Sequence, residues 1–148
     1  MHRLVYISTA KWLFDARELE DLLINAKRNN LRDNVTGMLI YHDGCFFQVL
    51  EGPEKAVRDC FQRISKDLRH SGTIVLLDEP AASRQFGGWQ MACRTFSGLT
   101  PLQKRQFIDL NMLADAVSKG LTMQDAPKTK AVLLAFLSAF RDLDVQAA

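Results

Sequence analysis

Apolar and polar positions follow two different periods in the first part of the chain. Leu4–Ser8 is a short apolar run with β-branched and aromatic residues, which predicts a strand. Asp15 followed by Glu18 is typical of a helix start, and apolar residues then recur at helical spacing. We predict that this helix ends near Asn29 and Asn30, because asparagine commonly serves as a left-handed helix cap.

The next segments predict a hairpin, a second helix and two further strands. Val35–Tyr41 and Cys45–Glu51 are strand-like, and Asp43-Gly44 between them favours a tight turn because glycine accepts a positive φ. Three elements follow: a helix with an apolar stripe ending at Leu68, a strand over Thr73–Asp78, and a last strand within Phe86–Thr95. The order is β-α-β-β-α-β-β, whose first six elements match the ferredoxin-like arrangement of the α+β class.

Both faces of the predicted sheet are apolar. In the first strand Leu4 and Tyr6 point one way while Val5 and Ile7 point the other, and Ile74–Leu77 repeats the pattern in the fourth strand. A sheet with two apolar faces must be covered on both sides. We therefore expect two helices on one face and helices of the C-terminal tail on the other.

The tail predicts two helices, over about Leu102–Val117 and Lys128–Leu143. No linker or repeat separates it from the sheet. The predicted division is residues 1–96 for the sheet domain and residues 97–148 for a helical extension packed on the same globule. The extension is too short to be an independent catalytic domain.

Composition narrows the function classes. The chain has 148 residues, of which 47% are apolar and 24% charged, as in a folded globular domain. A net charge of +2 gives no argument for direct nucleic-acid binding. The three cysteines form no CxxC pair, which favours a reducing cytoplasm, and the longest apolar run, Ala131–Phe140, is too short to cross a membrane.

The sequence carries no hydrolase, zinc or phosphate-loop motif, so the candidate chemistry lies in polar residues at apolar positions. Gln48 shares a predicted sheet face with Phe46 and Leu50, and Tyr6 lies on an apolar strand. Taken singly, each residue has a structural explanation: a core glutamine bonds to its neighbours, and a buried tyrosine anchors its hydroxyl. Arg63 and Asp67 similarly have the spacing of a helical ion pair.

Taken together, these residues form an ordered set of motifs. The segments are RLVYIS with Tyr6, RNN with Asn29 and Asn30, NVTGMLIY over 34–41, FFQVLEG with Gln48, DLRH over 67–70, and WQM with Trp89 and Met91. Their order and spacing over residues 3–94 resemble a BLUF domain, the blue-light sensor that uses a flavin. The chain departs from the pattern at Gln90, where many members carry serine.

The resemblance implies a cofactor and a set of site residues. Members hold FAD non-covalently, sometimes replaced by FMN or riboflavin, between the two helices that pack on the sheet. Asn30 would bond the edge of the flavin ring, with Arg63 near that edge and Arg69 and His70 near the ribityl-phosphate end. The implied cofactor-binding residues are Tyr6, Asn29, Asn30, Gln48, Arg63, Ile64, Asp67, Arg69 and His70.

The resemblance also implies a photochemical mechanism. Tyr6 would supply an electron and then a proton to the excited flavin, and Gln48 would relay the proton and emerge rotated or tautomerised. Trp89 or Met91 would neighbour Gln48. No substrate is turned over, so the expectation is a photoreceptor and not an enzyme. It would signal to a separate downstream effector protein, with homo-oligomerisation expected and no membrane association.

Two alternatives use the same arrangement of elements. An RNA-recognition module also has βαββαβ order, but it needs an open, basic sheet face with stacking aromatic residues. An acylphosphatase-like enzyme would need an arginine and an asparagine beside a glycine-rich phosphate loop, which the sequence lacks. A yellow protein with flavin absorption bands would distinguish the photoreceptor from both.

Overall fold

A computed structural model describes residues 1–93, 101, 107–120, 123, 125–140 and 143, with 90–93 and 108 described by their backbone. The strands are β1 (His2–Ala10), β2 (Thr36–His42), β3 (Cys45–Gly52), β4 (His70–Pro80), β5 (Trp89–Cys93) and β6 (Ile108–Asp109). The helices are α1 (Ala16–Arg32), α2 (Glu54–Ser65), α3 (Leu110–Ser118) and α4 (Pro127–Ser138).

The strands form one sheet with the order β4-β1-β3-β2-β5-β6. Strand β1 lies antiparallel between β3 and β4, β2 pairs antiparallel with β3, and β5 runs parallel to both β2 and β6. The predicted α+β, ferredoxin-like sheet is confirmed. Strand β6 is an addition: we predicted helix over Phe107–Asp109, but Ile108–Asp109 pairs with β5. The predicted helical residues 102–106 lie outside the described residues.

The β2–β3 hairpin fixes the register of the sheet centre. Asp43 and Gly44 have φ values of 50° and 77°, as the predicted tight turn requires. Further along the hairpin, a Cβ on Gly37 would lie 1.8 Å from the carbonyl oxygen of Val49. Only glycine permits this close backbone approach.

Helix α1 begins as predicted but ends later. Asp15 caps its N-terminus by accepting a hydrogen bond from the backbone N–H of Glu18. The helix continues to Arg32, so the prediction that Asn29 and Asn30 cap it is wrong. The left-handed residue is Asn34, with φ of 57°, while Asn30 is buried in the last turns of the helix.

The two faces of the sheet are covered by different helices. Helices α1 and α2 lie on the face that carries Tyr6 and Gln48. On the other face, a buried cluster joins Val5 and Phe47 of the sheet to Leu113 of α3 and Leu133 of α4. The prediction that the tail covers this face is confirmed over the described residues.

Three apolar residues are less buried than predicted. Leu68 is 77% exposed because α2 already ends at Ser65, so its place on the apolar stripe of that helix was wrong. In the edge strand β4, Ile74 and Val75 are 56% and 45% exposed. The two-sided burial that holds for β1 therefore does not extend through β4. Among the described helices, none combines the length and hydropathy needed to cross a membrane.

Candidate functional site

A cavity of about 860 Å³, including its open mouth, lies between α1, α2 and the sheet. Nine of the residues proposed from the sequence line it: Tyr6, Asn29, Asn30, Gln48, Arg63, Ile64, Asp67, Arg69 and His70. The fold thus brings residues from β1, α1, β3, α2 and β4 around one space.

Tyr6 and Gln48 form the polar floor of the cavity. They are direct partners in the antiparallel pairing of β1 with β3, so both side chains project from the same face. Tyr6 Oη donates a hydrogen bond to Gln48 Oε1. The two residues are only 3% and 4% exposed. The strand register therefore builds a phenol–amide pair in a nearly dry environment.

Burial controls the protonation of Tyr6. Desolvation raises the pKa of its phenol well above the usual value of 10.0, and the nearby Cys60 and Asp67 raise that pKa further. An ionised phenol would be costly here because burial disfavours the charged form. Tyr6 is consequently a neutral hydrogen-bond donor at physiological pH.

Asn30 and Cys60 connect the two helices beside the cavity. Cys60 Sγ lies 3.4 Å from Asn30 Oδ1, in donor geometry, and both side chains are buried. Burial raises the pKa of the Cys60 thiol to about 11, so the thiol keeps its proton. This contact positions the Asn30 amide on the cavity wall.

Charged residues surround the mouth. Arg69 Nη2 lies 2.5 Å from Asp67 Oδ2, and Arg63 Nη2 lies 2.8 Å from Asp33 Oδ2. The bond from Arg69 lowers the pKa of Asp67, so this carboxylate is ionised at neutral pH. The mouth therefore presents paired charges, whereas the interior is lined by neutral amide, phenol and thiol groups.

Several buried polar atoms lack a partner within the described part of the chain. They include Ser8 Oγ and His70 Nδ1, whose residues line the cavity, and Trp89 Nε1. The other nitrogen of His70 is 2.6 Å from the carbonyl oxygen of Ile64. A buried polar group without a partner costs about 1–3 kcal/mol, so Ser8 Oγ and His70 Nδ1 on the cavity lining would gain from a water molecule or a polar ligand there.

Trp89 and Met91 are placed by strand pairing rather than by the cavity wall. Leu39 of β2 pairs with Gln48 on one side and with Met91 on the other. Gly37 pairs with Trp89 in the same way, and the Trp89 side chain is half-buried against the apolar clusters beneath α1 and α2. The side chain of Met91 lies outside the described residues, so its proximity to Gln48 stays a prediction.

Eight further residues line the cavity and were not predicted from the sequence: Ser8, Phe14, Leu22, Asn25, Ala26, Leu39, Phe46 and Cys60. The lining residues of α1 could have been predicted from their spacing. Leu22, Asn25, Ala26 and Asn29 follow helical spacing, so one face of α1 carries small and amide side chains toward the sheet. Ser8 had a comparable signal, because alternation places it on the same face as Tyr6.

The residues fit a flat heterocycle with a polar edge. Leu22, Leu39 and Ile64 supply apolar walls, while the amides of Asn30 and Gln48 supply donors and acceptors. No cluster of histidine, cysteine or carboxylate side chains suited to a metal occurs among the described residues. A planar organic group suits this cavity better than an ion.

Comparison with known proteins gives the same indication. The family model described as "Sensors of blue-light using FAD", named BLUF, matches residues 1–92. The chain is similar to the blue light- and temperature-regulated antirepressor BluF of Escherichia coli K12, with 36% identity over 84 residues, 57% of this chain and 21% of that protein. It also resembles the photoactivated adenylate cyclase subunit alpha of Euglena gracilis, with 37% identity over 93 residues, 62% of this chain and 9% of that protein.

Solved structures agree at the level of the fold. The BlrP1 BLUF structure is 33% identical with a TM-score of 0.55, and covers 62% of each chain. A bacterial light-regulated adenylyl cyclase is 30% identical with a TM-score of 0.59, over 78% of this chain and 34% of that one. The photo-activated state of BlsA matches 99% of both chains with a TM-score of 0.64, but at 22% identity it supports the fold alone.

The chain spans about a fifth or less of the curated relatives described above. The matched part is 9% of the Euglena cyclase subunit and 34% of the bacterial light-regulated cyclase. With the family model covering more than half of its residues, the chain belongs to the BLUF family of blue-light flavin sensors.

Proposed function

We propose that the chain binds FAD in the cavity between α1 and α2 and senses blue light through Tyr6 and Gln48. The observation that carries this proposal is the buried hydrogen bond from Tyr6 Oη to Gln48 Oε1 on the cavity floor. A phenol beside a bound flavin is an electron and proton donor, and an amide in contact with both is a proton relay. FMN or riboflavin would use the same ring contacts.

The remaining cavity residues would hold the ring and its tail. Ile64 would pack on the flat faces of the ring, and Asn30 would bond the carbonyl and imide edge, with Asn29 and Arg63 nearby. Asp67, Arg69 and His70 would face the ribityl-phosphate end, where paired charges already lie at the mouth.

When bound and excited, a flavin supplies a strong one-electron oxidant. Tyr6 would then lose one electron and its phenolic proton, and Gln48 would accept a proton at Oε1 and release one from its nitrogen. The electron and a proton return to Tyr6, so the cycle has no net redox change. What persists is a rotated or tautomerised Gln48 amide with an altered hydrogen bond, a local switch with a structural readout.

The signal has a route to the outer surface. Gln48 lies in β3, at the centre of the sheet, and α3 and α4 cover the opposite face. Lys128 of α4 bonds Glu79 of β4 at 3.3 Å, so α4 is connected to a sheet edge. We propose that residues 97–148 are a helical extension of the sensor over 1–96. A separate cytoplasmic effector protein, or a second copy of the chain, would respond to a change in how this extension packs on the sheet.

The test combines cofactor analysis with illumination. Purified protein should release a flavin on denaturation, identified by chromatography against FAD, FMN and riboflavin, and its absorption should shift reversibly to longer wavelength under blue light. Gln48→Leu should retain flavin without the shift, whereas Gln62→Leu, an exposed change on α2, should behave as the parent protein. Absence of flavin bands even after refolding with FAD would overturn the proposal, as would a normal photocycle in Gln48→Leu.

A further inference from the structure

A cluster of the buried ion pair Arg3–Glu51 and the half-buried Arg84 ties the β4–β5 loop, residues 81–88, to one end of the sheet. Glu51 is fully buried and Arg3 is only 4% exposed. Arg3 Nε lies 3.4 Å from Glu51 Oε1, and Arg3 Nη2 donates to the carbonyl oxygen of Ser83 at 3.0 Å. None of these groups lines the cavity, and the photochemistry proposed above does not use them.

The loop contributes its own bonds to the cluster. The backbone N–H of Gln85 lies 2.8 and 3.1 Å from the two carboxylate oxygens of Glu51. Arg84 Nη1 donates to Thr36 Oγ1 at 2.6 Å and to the backbone oxygen of Glu51 at 3.0 Å. Arg84 Nη2 donates to the backbone and side-chain oxygens of Asn34 at 2.8 and 3.1 Å. One guanidinium thus joins the start of β2, the end of β3 and the loop.

The register places this cluster beside the first residue of β5. Thr36 pairs with Glu51, and the next residue, Gly37, pairs with Trp89. Only Phe86, Gly87 and Gly88 separate Gln85 from Trp89. The two glycines offer no side chain to hold the strand. The cluster and the buried Phe86 therefore fix where β5 begins and where Trp89 packs.

A buried ion pair is a poor way to gain stability alone, because desolvation offsets much of its attraction. Such a cluster instead selects one arrangement of the loop. Glu51 also shares β3 with the switch residue Gln48, three residues away, although their side chains project from opposite faces of the strand. The cluster therefore connects the strand that carries Gln48 to the loop that leads into Trp89.

We infer that Arg84 and Glu51 are positioning residues that hold Trp89 in its resting place and so set how fast the light-induced state returns to the dark state. The second half of this inference rests on the proposed function. The first half concerns only the protein, and it can be measured whether or not the photocycle is found.

A single-tryptophan variant measures the position of Trp89 directly. The chain has two tryptophans, and Trp12 is half-exposed and away from the cavity lining, so Trp12→Phe leaves Trp89 as the only reporter. In that background Arg84→Gln should raise acrylamide quenching of Trp89 at least about twofold and speed backbone hydrogen exchange over 84–93 at least about tenfold. Arg58→Gln, which breaks the exposed ion pairs to Asp78 and Glu54, is the matched control and should change neither.

The second measurement is dark recovery after blue light. Arg84→Gln should change the recovery rate at least about threefold, and Arg84→Lys, which keeps the charge but not the two-pronged geometry, should restore part of it. If Arg84→Gln does not fold, Glu51→Gln replaces it in both measurements, because this variant keeps an acceptor for the backbone N–H of Gln85. Unchanged quenching and exchange in a folded Arg84→Gln would overturn the positioning role. Changed quenching with unchanged recovery would overturn the link to the photocycle, and a protein without flavin would count against the proposed function alone.

Discussion

The two faces of one sheet have opposite chemistry, although they are built from alternate residues of the same strands. Tyr6 and Gln48 face a cavity with polar groups and unpartnered polar atoms, while their neighbours Val5 and Phe47 face a closed apolar cluster under α3 and α4. The alternation of side chains in β-strands makes this possible. Under the proposed function, stability and light sensing belong mainly to different faces of the sheet and should be separable by mutation.

The largest effect on stability is expected on the closed face. Leu133 is fully buried against the sheet, so Leu133→Ala removes apolar contacts and leaves a cavity. We expect a loss of about 2–5 kcal/mol in the free energy of unfolding. Urea denaturation measures it. Full stability in the variant would show that α4 does not contribute to the core as described.

On the cavity face a comparable change should affect the cofactor more than the fold. Asn30→Ala removes an amide that we propose to bond the ring edge, and it also removes the acceptor for Cys60. We expect flavin affinity to fall about tenfold, the equivalent of one lost hydrogen bond of about 1.4 kcal/mol. Titration of the apoprotein with FAD measures this, and Asn111→Ala, an exposed change on α3, is the control. Equal FAD affinity in Asn30→Ala and Asn111→Ala would show that Asn30 does not bind the flavin ring.

The third prediction compares the pKa values of the two tyrosine phenols, Tyr6 on the cavity lining and Tyr41 away from it. Burial raises the pKa of both phenols, that of Tyr6 well above 10.0 and that of Tyr41 less strongly, so the fold favours the neutral forms. The stability they contribute is fully present below the unfolded pKa of about 10 and is lost as pH rises through the raised folded values.

Phenolate absorbance followed from pH 9 upward should therefore show no ionisation of the folded protein at the usual tyrosine value. Tyr41→Phe should remove the earlier of the two steps and leave the later one, from Tyr6. An ionisation near pH 10 in folded Tyr41→Phe protein would contradict the burial of Tyr6.

The smallest effect is expected at Leu68, which belongs to neither face. Because this side chain is 77% exposed beyond the end of α2, Leu68→Ala should change the free energy of unfolding by less than about 0.5 kcal/mol. The same urea experiment as for Leu133→Ala measures it. A loss of unfolding free energy as large as that of Leu133→Ala would show that Leu68 is buried on the apolar stripe of α2, as predicted from the sequence.

Local patterns predicted much of the fold and the floor of the site. The Asp43-Gly44 turn and the Asp15 cap depend on neighbouring residues, and the structure contains both. Alternation grouped Tyr6 with Leu4 in β1 and Gln48 with Phe46 and Leu50 in β3, because the period of a strand depends only on local backbone geometry. The pairing that puts the two residues on one face depends on the register of β1 with β3.

Other features depend on partners that are distant in sequence. Helix α1 passes Asn29 and Asn30 because Asn30 is buried by the sheet and α2, which no local signal shows. Glu51 is the last residue of the predicted strand, and nothing local in the sequence shows that it is fully buried and bonded to residues 84 and 85, more than 30 positions away. The pairing of Ile108–Asp109 with β5 likewise overrides a helical pattern.

The central claim is that Tyr6 is the photochemical donor, and the most direct test compares the only two tyrosines of the chain under blue light. Tyr41 accepts a hydrogen bond from the backbone N–H of Phe14 and does not line the cavity, so Tyr41→Phe is a matched control for Tyr6→Phe. Both variants should bind flavin. We predict that Tyr41→Phe shows the reversible shift to longer wavelength and that Tyr6→Phe does not. A Tyr6→Phe protein that binds flavin and shifts as the parent does would contradict the account.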